Sequence, residues 1–264
     1  WSIHPSFCFF SNGNELNGDF QLLREIVQRL KTIQPQILYT LTSNWDRPTA
    51  AEDDLFIAQS SAGIGVRGQY FLDALVETTT LNFTAGVQAQ NVPVISHEVG
   101  QYVVYPNMAE IPRYMGSLVP VNLQRIRDDL AEKQLLPYLN DFIHSSGKLA
   151  LLLYKMEIEA ALRTPRMGGI QLLSLHDFPG QSTATVGILD AFYASKNIIE
   201  PANFRHFCCP TVPLVMMPTL FYSSEDNFVA EVQIAHYGAA PLHQVTLEIQ
   251  IIDENKRPLL TQEY

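Results

Sequence analysis

Residues 6–42 read SFCFFSNGNELNGDFQLLREIVQRLKTIQPQILYTLT, and the order of patterns within them sets the fold expectation. Ser6 to Ser11 is an aromatic-rich apolar run between Pro5 and the polar Asn12-Gly13-Asn14-Glu15, which reads as a buried strand ending in a loop. From Asp19 to Ile33 the apolar residues Phe20, Leu23, Ile26, Val27 and Leu30 recur at helical spacing, and Asp19 is placed to cap the start. Gln36 to Thr42 is again a short apolar run. Strand, helix and strand in that order make a βα unit.

The alternation continues outward. Strand signals lie near Leu55 to Gln59, from Val92 to Ser96 just before His97-Glu98, and from Met167 to His176. Helical patterning marks Val121 to Leu135, Pro137 to His144, Lys148 to Leu162 and the stretch about Thr183 to Lys196. Gly63 to Gly68 and Thr78-Thr79-Thr80 read as loops. Gln101 to Pro120 is too long for an ordinary connection, and long loops inside compact α/β domains are usually functional. Five strand signals separated by helical material suit a parallel α/β architecture with functional residues at the carboxyl ends of its strands.

Composition narrows the function classes. The chain has 264 residues, room for one large domain or two ordinary ones, and 47% hydrophobic against 17% charged residues excludes a wholly disordered chain. A formal charge of −10 repels phosphate backbones, and Lys256-Arg257 is the longest basic cluster, so no nucleic-acid partner is expected. No run approaches the ~20 apolar residues of a spanning helix, so no membrane insertion is expected either. Three cysteines, an odd number, make no disulfide framework. The chain opens at Trp1 without Met or a basic-then-apolar leader, which is the pattern expected after processing or excision from something longer. Beyond Pro201, Phe228 to His236 and then Val245, Leu247, Ile249 and Ile251 alternate with polar partners, the mark of a half-buried antiparallel ribbon. That ribbon is too short to close a sandwich, so a second domain cut off at Tyr264 is expected.

Glu15 and Glu98 are the first candidates for chemistry. Each directly follows a strong apolar strand signal, and in a βα-repeating fold distant carboxylates converge at the carboxyl ends of parallel strands. Two carboxylates facing a glycosidic bond divide the work: one protonates the leaving oxygen, while the other attacks the anomeric carbon or activates water. Asn14 can donate to a sugar hydroxyl or fix the neighbouring carboxyl group. Strand alternation makes His97 a core histidine unless the strand bends, in which case it lines the pocket. His176 and Asp177 end the last strand and either line the same face or form a turn. Trp45, Tyr102, Tyr105 and Tyr114 offer aromatic platforms for sugar rings or ordinary core material. No zinc-type ligand spacing is present, and His97, Glu98, His176 and Asp177 would make a metal group only if the fold brought them together, so no metal is expected; the two-carboxylate chemistry implies no cofactor. A third reading is a different α/β hydrolase chemistry using His97 or His176 with Asp177, without a Gly-x-Ser-x-Gly elbow to support a serine nucleophile. Asn82-Phe83-Thr84 matches a glycosylation acceptor.

His4-Pro5-Ser6-Phe7 with Ser11-Asn12-Gly13-Asn14-Glu15-Leu16 resembles the fourth barrel strand of glycoside hydrolase family 2, the β-galactosidase, β-glucuronidase and β-mannosidase group. Pro93-Val94-Ile95-Ser96-His97-Glu98-Val99-Gly100 resembles the seventh strand of that family. The resemblance implies Glu15 as general acid/base, Glu98 as nucleophile and Asn14 as the ligand of the hydroxyl beside the anomeric carbon. It implies a partial (β/α)8 barrel, about strands 4 to 8, over residues 1–198, followed by the start of an immunoglobulin-like β-sandwich over 199–264. Trp45, His97, Tyr102, His176 and Asp177 then join Asn14 in binding substrate. Many members end the eighth strand with a tryptophan-containing segment, where this chain has Leu175-His176-Asp177-Phe178-Pro179-Gly180-Gln181. The expected activity is a retaining hydrolase removing terminal β-linked sugars, β-galactosidase-like, from oligo- or polysaccharides. The alternative is a carbohydrate-binding or structural fragment without turnover. The resemblance further implies a periplasmic or extracellular bacterial setting, a carbohydrate as partner, and self-association through open barrel edges.

Overall fold

The computed structural model describes residues 4–43, 47–68, 77–117, 119–178 and 184–264. Strand β1 (Phe9–Ser11) pairs in parallel with β2 (Leu38–Thr40), and helix α1 (Phe20–Ile33) connects them. The Asp19 carboxylate accepts the Gln21 and Leu22 backbone N–H groups, a cap that stabilises the helix by about 1 kcal/mol. Val27 on the inner stripe of α1 packs with Ile37, Tyr39 and Leu41, giving this pair of strands its own small core.

Strand β3 (Phe56–Ala58) is followed by a hairpin of β4 (Ser60–Ser61) and β5 (Ile64–Gly65), then by α2 (Thr84–Gln88) and β6 (Val94–Val99). The long loop after β6 holds one 3-10 helix at Met108–Arg113 and leads into α3 (Val121–Glu132). The two helical signals at 137–144 and 148–162 merge into one helix, α4 (Leu139–Leu162). Gly147 lies inside it because a Cβ there would meet Ile198 Cγ2 at 2.5 Å. Strand β7 (Met167–Leu172) completes a parallel sheet in the order β3-β6-β7, and α4 covers it. Ala160 and Ala161 of α4 pack with Phe56, Val94 and Met167, and Tyr154 and Ile158 with Val99, Tyr102 and Phe207.

The expected partial (β/α)8 barrel does not form. Among the described residues the strands fall into five separate sheets of two or three strands, and no ladder joins β2 to β3. Asp53 and Asp54 supply the physical reason. On the side of β2 facing away from β1, the Asp54 carboxylate accepts the Tyr39 N–H at 2.9 Å and the Asp53 carboxylate accepts that of Leu41 at 2.7 Å. Side chains thus satisfy the donors that a neighbouring strand would need. The open barrel edges expected to drive self-association fall with the barrel.

The helix expected at Thr183–Lys196 is also absent over its described part, 184–196. There the Asp190 carboxylate accepts the Phe192 and Ala194 N–H groups, and that of Asp177 accepts the Gly187 N–H. Local side-chain acceptors compete with the helix for its donors. After α5 (Pro201–Phe204), β8 (Thr211–Met216) pairs antiparallel with β9 (Glu231–His236), and β10 (Glu248–Ile252) with β11 (Pro258–Glu263). These are two separate ribbons, and β11 is exposed along its whole length, so the immunoglobulin-like sandwich is not present. Buried Val212 and Leu214 anchor the first ribbon, and the Thr79 hydroxyl donates to the Val215 carbonyl at 2.7 Å. No helix among the described residues is long and apolar enough to cross a membrane.

Candidate active site

Strand β6 does not run straight. Its register against β7 shifts between Ser96 and Val99, and Glu98 has φ of +59°, in the left-handed region. Nine non-glycine residues have positive φ among those described, and Glu98 alone of them lies inside a strand. Strain of this kind costs on the order of 1–3 kcal/mol and concentrates at functional sites. The bend cancels the usual alternation, so His97 and Glu98 turn to one side, with His97 Nε2 3.7 Å from Glu98 Oε1.

Three donors converge on the other carboxylate oxygen. Glu98 Oε2 accepts from Gln59 Nε2 at 2.6 Å, Arg67 Nη1 at 3.1 Å and Gln101 Nε2 at 3.2 Å. Oε1 accepts no hydrogen bond among the described residues. Arg67 is buried, and its Nη1 also donates to the carbonyls of His97 and Glu98 at 3.5 and 3.4 Å, clamping the bend. Beneath this layer, Glu157 of α4 accepts the Gly68 N–H at 2.5 Å, the Gly100 N–H at 3.0 Å and the Tyr102 hydroxyl at 2.9 Å. Burial pushes the Glu157 carboxyl above its usual range, against the pull of those donors and of Arg67. Tyr102 is therefore a buried support, its phenol raised by burial and by Glu157.

Asn14 reaches the site from the other sheet. Past β1, Asn14 bridges Ser43, and the Glu15 N–H donates to the Ser43 carbonyl at 2.8 Å. Glu15 has φ of +50° and an exposed side chain that takes no hydrogen bond among the described residues. Asn14 Oδ1 lies 2.9 Å from His97 Nε2, and Gln171 Oε1 of β7 lies 2.8 Å from Nδ1 of the same ring. The structure thus brings Asn14, His97 and Glu98 into one connected group, with Glu15 the next residue along from Asn14.

His176 and Asp177 belong to a different cluster. The His176 ring stacks on Tyr193 at 4.2 Å, and Asp177 Oδ1 accepts from Lys196 Nζ at 2.5 Å. Around them, Arg113 pairs with Asp190, and Glu110 is buried nearby. Burial and the charges of Asp177 and Asp190 push the Glu110 carboxyl up to about 7. Burial likewise raises Asp177 and lowers Lys196. Trp45 lies outside the described residues. No group of three or more His, Cys, Asp or Glu among the described residues is arranged to hold a metal ion.

Gln59, Arg67, Gln101, Gln171 and Glu157 escaped the sequence reading. Two of them left a signal there. Arg67 sits in Gly65-Val66-Arg67-Gly68, where small neighbours allow close approach, and Glu157 stands beside Ile158 on the apolar stripe of a helix. A carboxylate on a buried stripe needs partners, and here it finds three.

Glu98 is thus tethered through one carboxylate oxygen, while Glu15, the residue after Asn14, is exposed at positive φ. No protein-family model matches the chain, and no curated protein does. Among solved structures, a "putative beta-galactosidase from bacteroides fragilis" aligns with 98% of this chain at 10% identity and a TM-score of 0.36. This chain spans 40% of that one. Likeness at that level carries no argument about fold or activity.

Proposed function

We propose that this chain carries the two catalytic carboxylates of a retaining glycoside hydrolase acting on terminal β-linked sugars, as its resemblance to family 2 implies. The observation that carries the reading is the chain of contacts Asn14–His97–Glu98, which links the residue before Glu15 to Glu98 through the His97 ring. Left-handed backbone at both carboxylates supports it. Glu98 attacks the anomeric carbon through Oε1, while its Oε2 stays bound to Gln59, Arg67 and Gln101. Glu15 protonates the departing oxygen and then takes a proton from the water that releases the sugar. Asn14 binds a hydroxyl of the same sugar.

The test is hydrolysis of aryl β-galactosides, β-glucosides, β-mannosides and β-glucuronides by the chain and by its Glu15→Gln and Glu98→Gln variants, with folding checked by circular dichroism. Release by the wild type, its abolition in Glu98→Gln and a loss of about 10²- to 10⁴-fold in Glu15→Gln are expected. Equal release by the variants, or none by the folded wild type, contradicts the assignment.

A further inference from the structure

The two halves of the site belong to different sheets. Asn14 follows β1 of the β1-β2 pair, whereas His97 and Glu98 lie in β6 of the three-stranded sheet. The His97 ring spans that gap, buried and held at both nitrogens, by Gln171 on its own sheet and by Asn14 on the other.

Resting on the reading above, we propose that His97 is a positioning residue that decides which end of the Asn14 amide faces the sugar. An amide oxygen only accepts, so the 2.9 Å contact to Asn14 Oδ1 places the proton on His97 Nε2. Gln171 Oε1 stands 2.8 Å from Nδ1 and holds the other edge of the ring. With its oxygen bound to His97, Asn14 turns its two Nδ2 hydrogens away from the ring, toward its exposed side. A sugar hydroxyl arriving there meets a donor. Without His97 the amide is free to turn over and offer its acceptor instead. The Nε2 proton also lies beside Glu98 Oε1, so one ring orients both partners of the reacting sugar.

Kinetics and nitrogen NMR of the full chain test this together. In the His97→Leu variant kcat should fall about 10- to 100-fold with a smaller change in KM, because the hydrogen bond it orients is strongest in the transition state. His97→Gln, which keeps a donor at a similar reach, should recover most of that loss. The losses in His97→Leu and Asn14→Ala should not add in the double variant, since both remove one interaction. Without any substrate, long-range ¹H–¹⁵N spectra should show the His97 proton on Nε2, with a shift that moves in Asn14→Ala. A bare Nε2, a shift unmoved by Asn14→Ala, or fully additive losses would overturn the proposal. Should the folded wild type hydrolyse no glycoside, the reading of the site fails, while the spectra still decide whether His97 holds Asn14.

Discussion

Glu98 and Glu15 share a backbone anomaly and differ in almost everything else. Both sit at positive φ, but Glu98 is mostly buried, with three donors on one oxygen, whereas Glu15 is exposed with a free carboxylate among the described residues. In the proposed mechanism the two carboxylates have different tasks. A nucleophile must hold one oxygen at the reacting carbon, and fixed donors on its other oxygen achieve that geometry. A group that gives and then takes a proton serves both steps without such a tether.

The largest effects should separate these tasks directly. Glu98→Gln should abolish turnover of aryl glycosides whatever the leaving group. Glu15→Gln should cost about 10²- to 10⁴-fold on poor leaving groups and far less on dinitrophenyl glycosides, which leave without protonation. Steady-state rates against leaving-group acidity check this, and parallel losses in both variants would erase the distinction. Next comes stability. Arg67→Met strips the largely buried Glu98 of its cation and leaves the buried arginine's partners unpaired, and should destabilise the fold by about 3–5 kcal/mol, read by urea unfolding. Glu15→Gln, with no such partner, should shift the same curve by less than about 0.5 kcal/mol.

The candidate carboxylates were legible in the sequence and the tethers were not. Asn14-Glu15 and His97-Glu98 stood out because each ends an apolar run, and α1 was readable from its spacing and its Asp19 cap. The donors to Glu98 lie outside the strands, at the turn between β3 and β4, just past β5 and in the loop after β6, where no period marks their role. The barrel expectation failed for a similar reason. Two adjacent aspartates, unremarkable in sequence, occupy the edge of β2 and end its sheet. The alternation in 245–251 was real, yet its strand lies on an exposed ribbon, because alternation tells which residues share a face and not whether anything covers it.

A third carboxylate sharpens the contrast through pH. The loop that brings Gln101 to Glu98 also carries Glu110, whose carboxyl titrates near 7 when folded against an ordinary value of 4.5. Between those values the folded chain holds a proton that the unfolded chain has lost. Stability should therefore fall as pH rises from about 4.5 to about 7 and then level off. Glu110→Gln should remove that part of the slope in thermal melts taken across the range. The smallest effect lies farthest from the chemistry: Asp19→Ala should cost about 1 kcal/mol through α1 alone, leaving rates per folded molecule unchanged.

The most direct test traps the intermediate. The chain is incubated with 2-deoxy-2-fluoro β-glycosides bearing a dinitrophenyl leaving group, digested, and its peptides are weighed and sequenced by mass spectrometry. One glycosyl group on Glu98, absent in Glu98→Gln and still formed in Glu15→Gln, is the predicted result. An adduct on another residue, or turnover with inverted configuration and no adduct, would contradict the account.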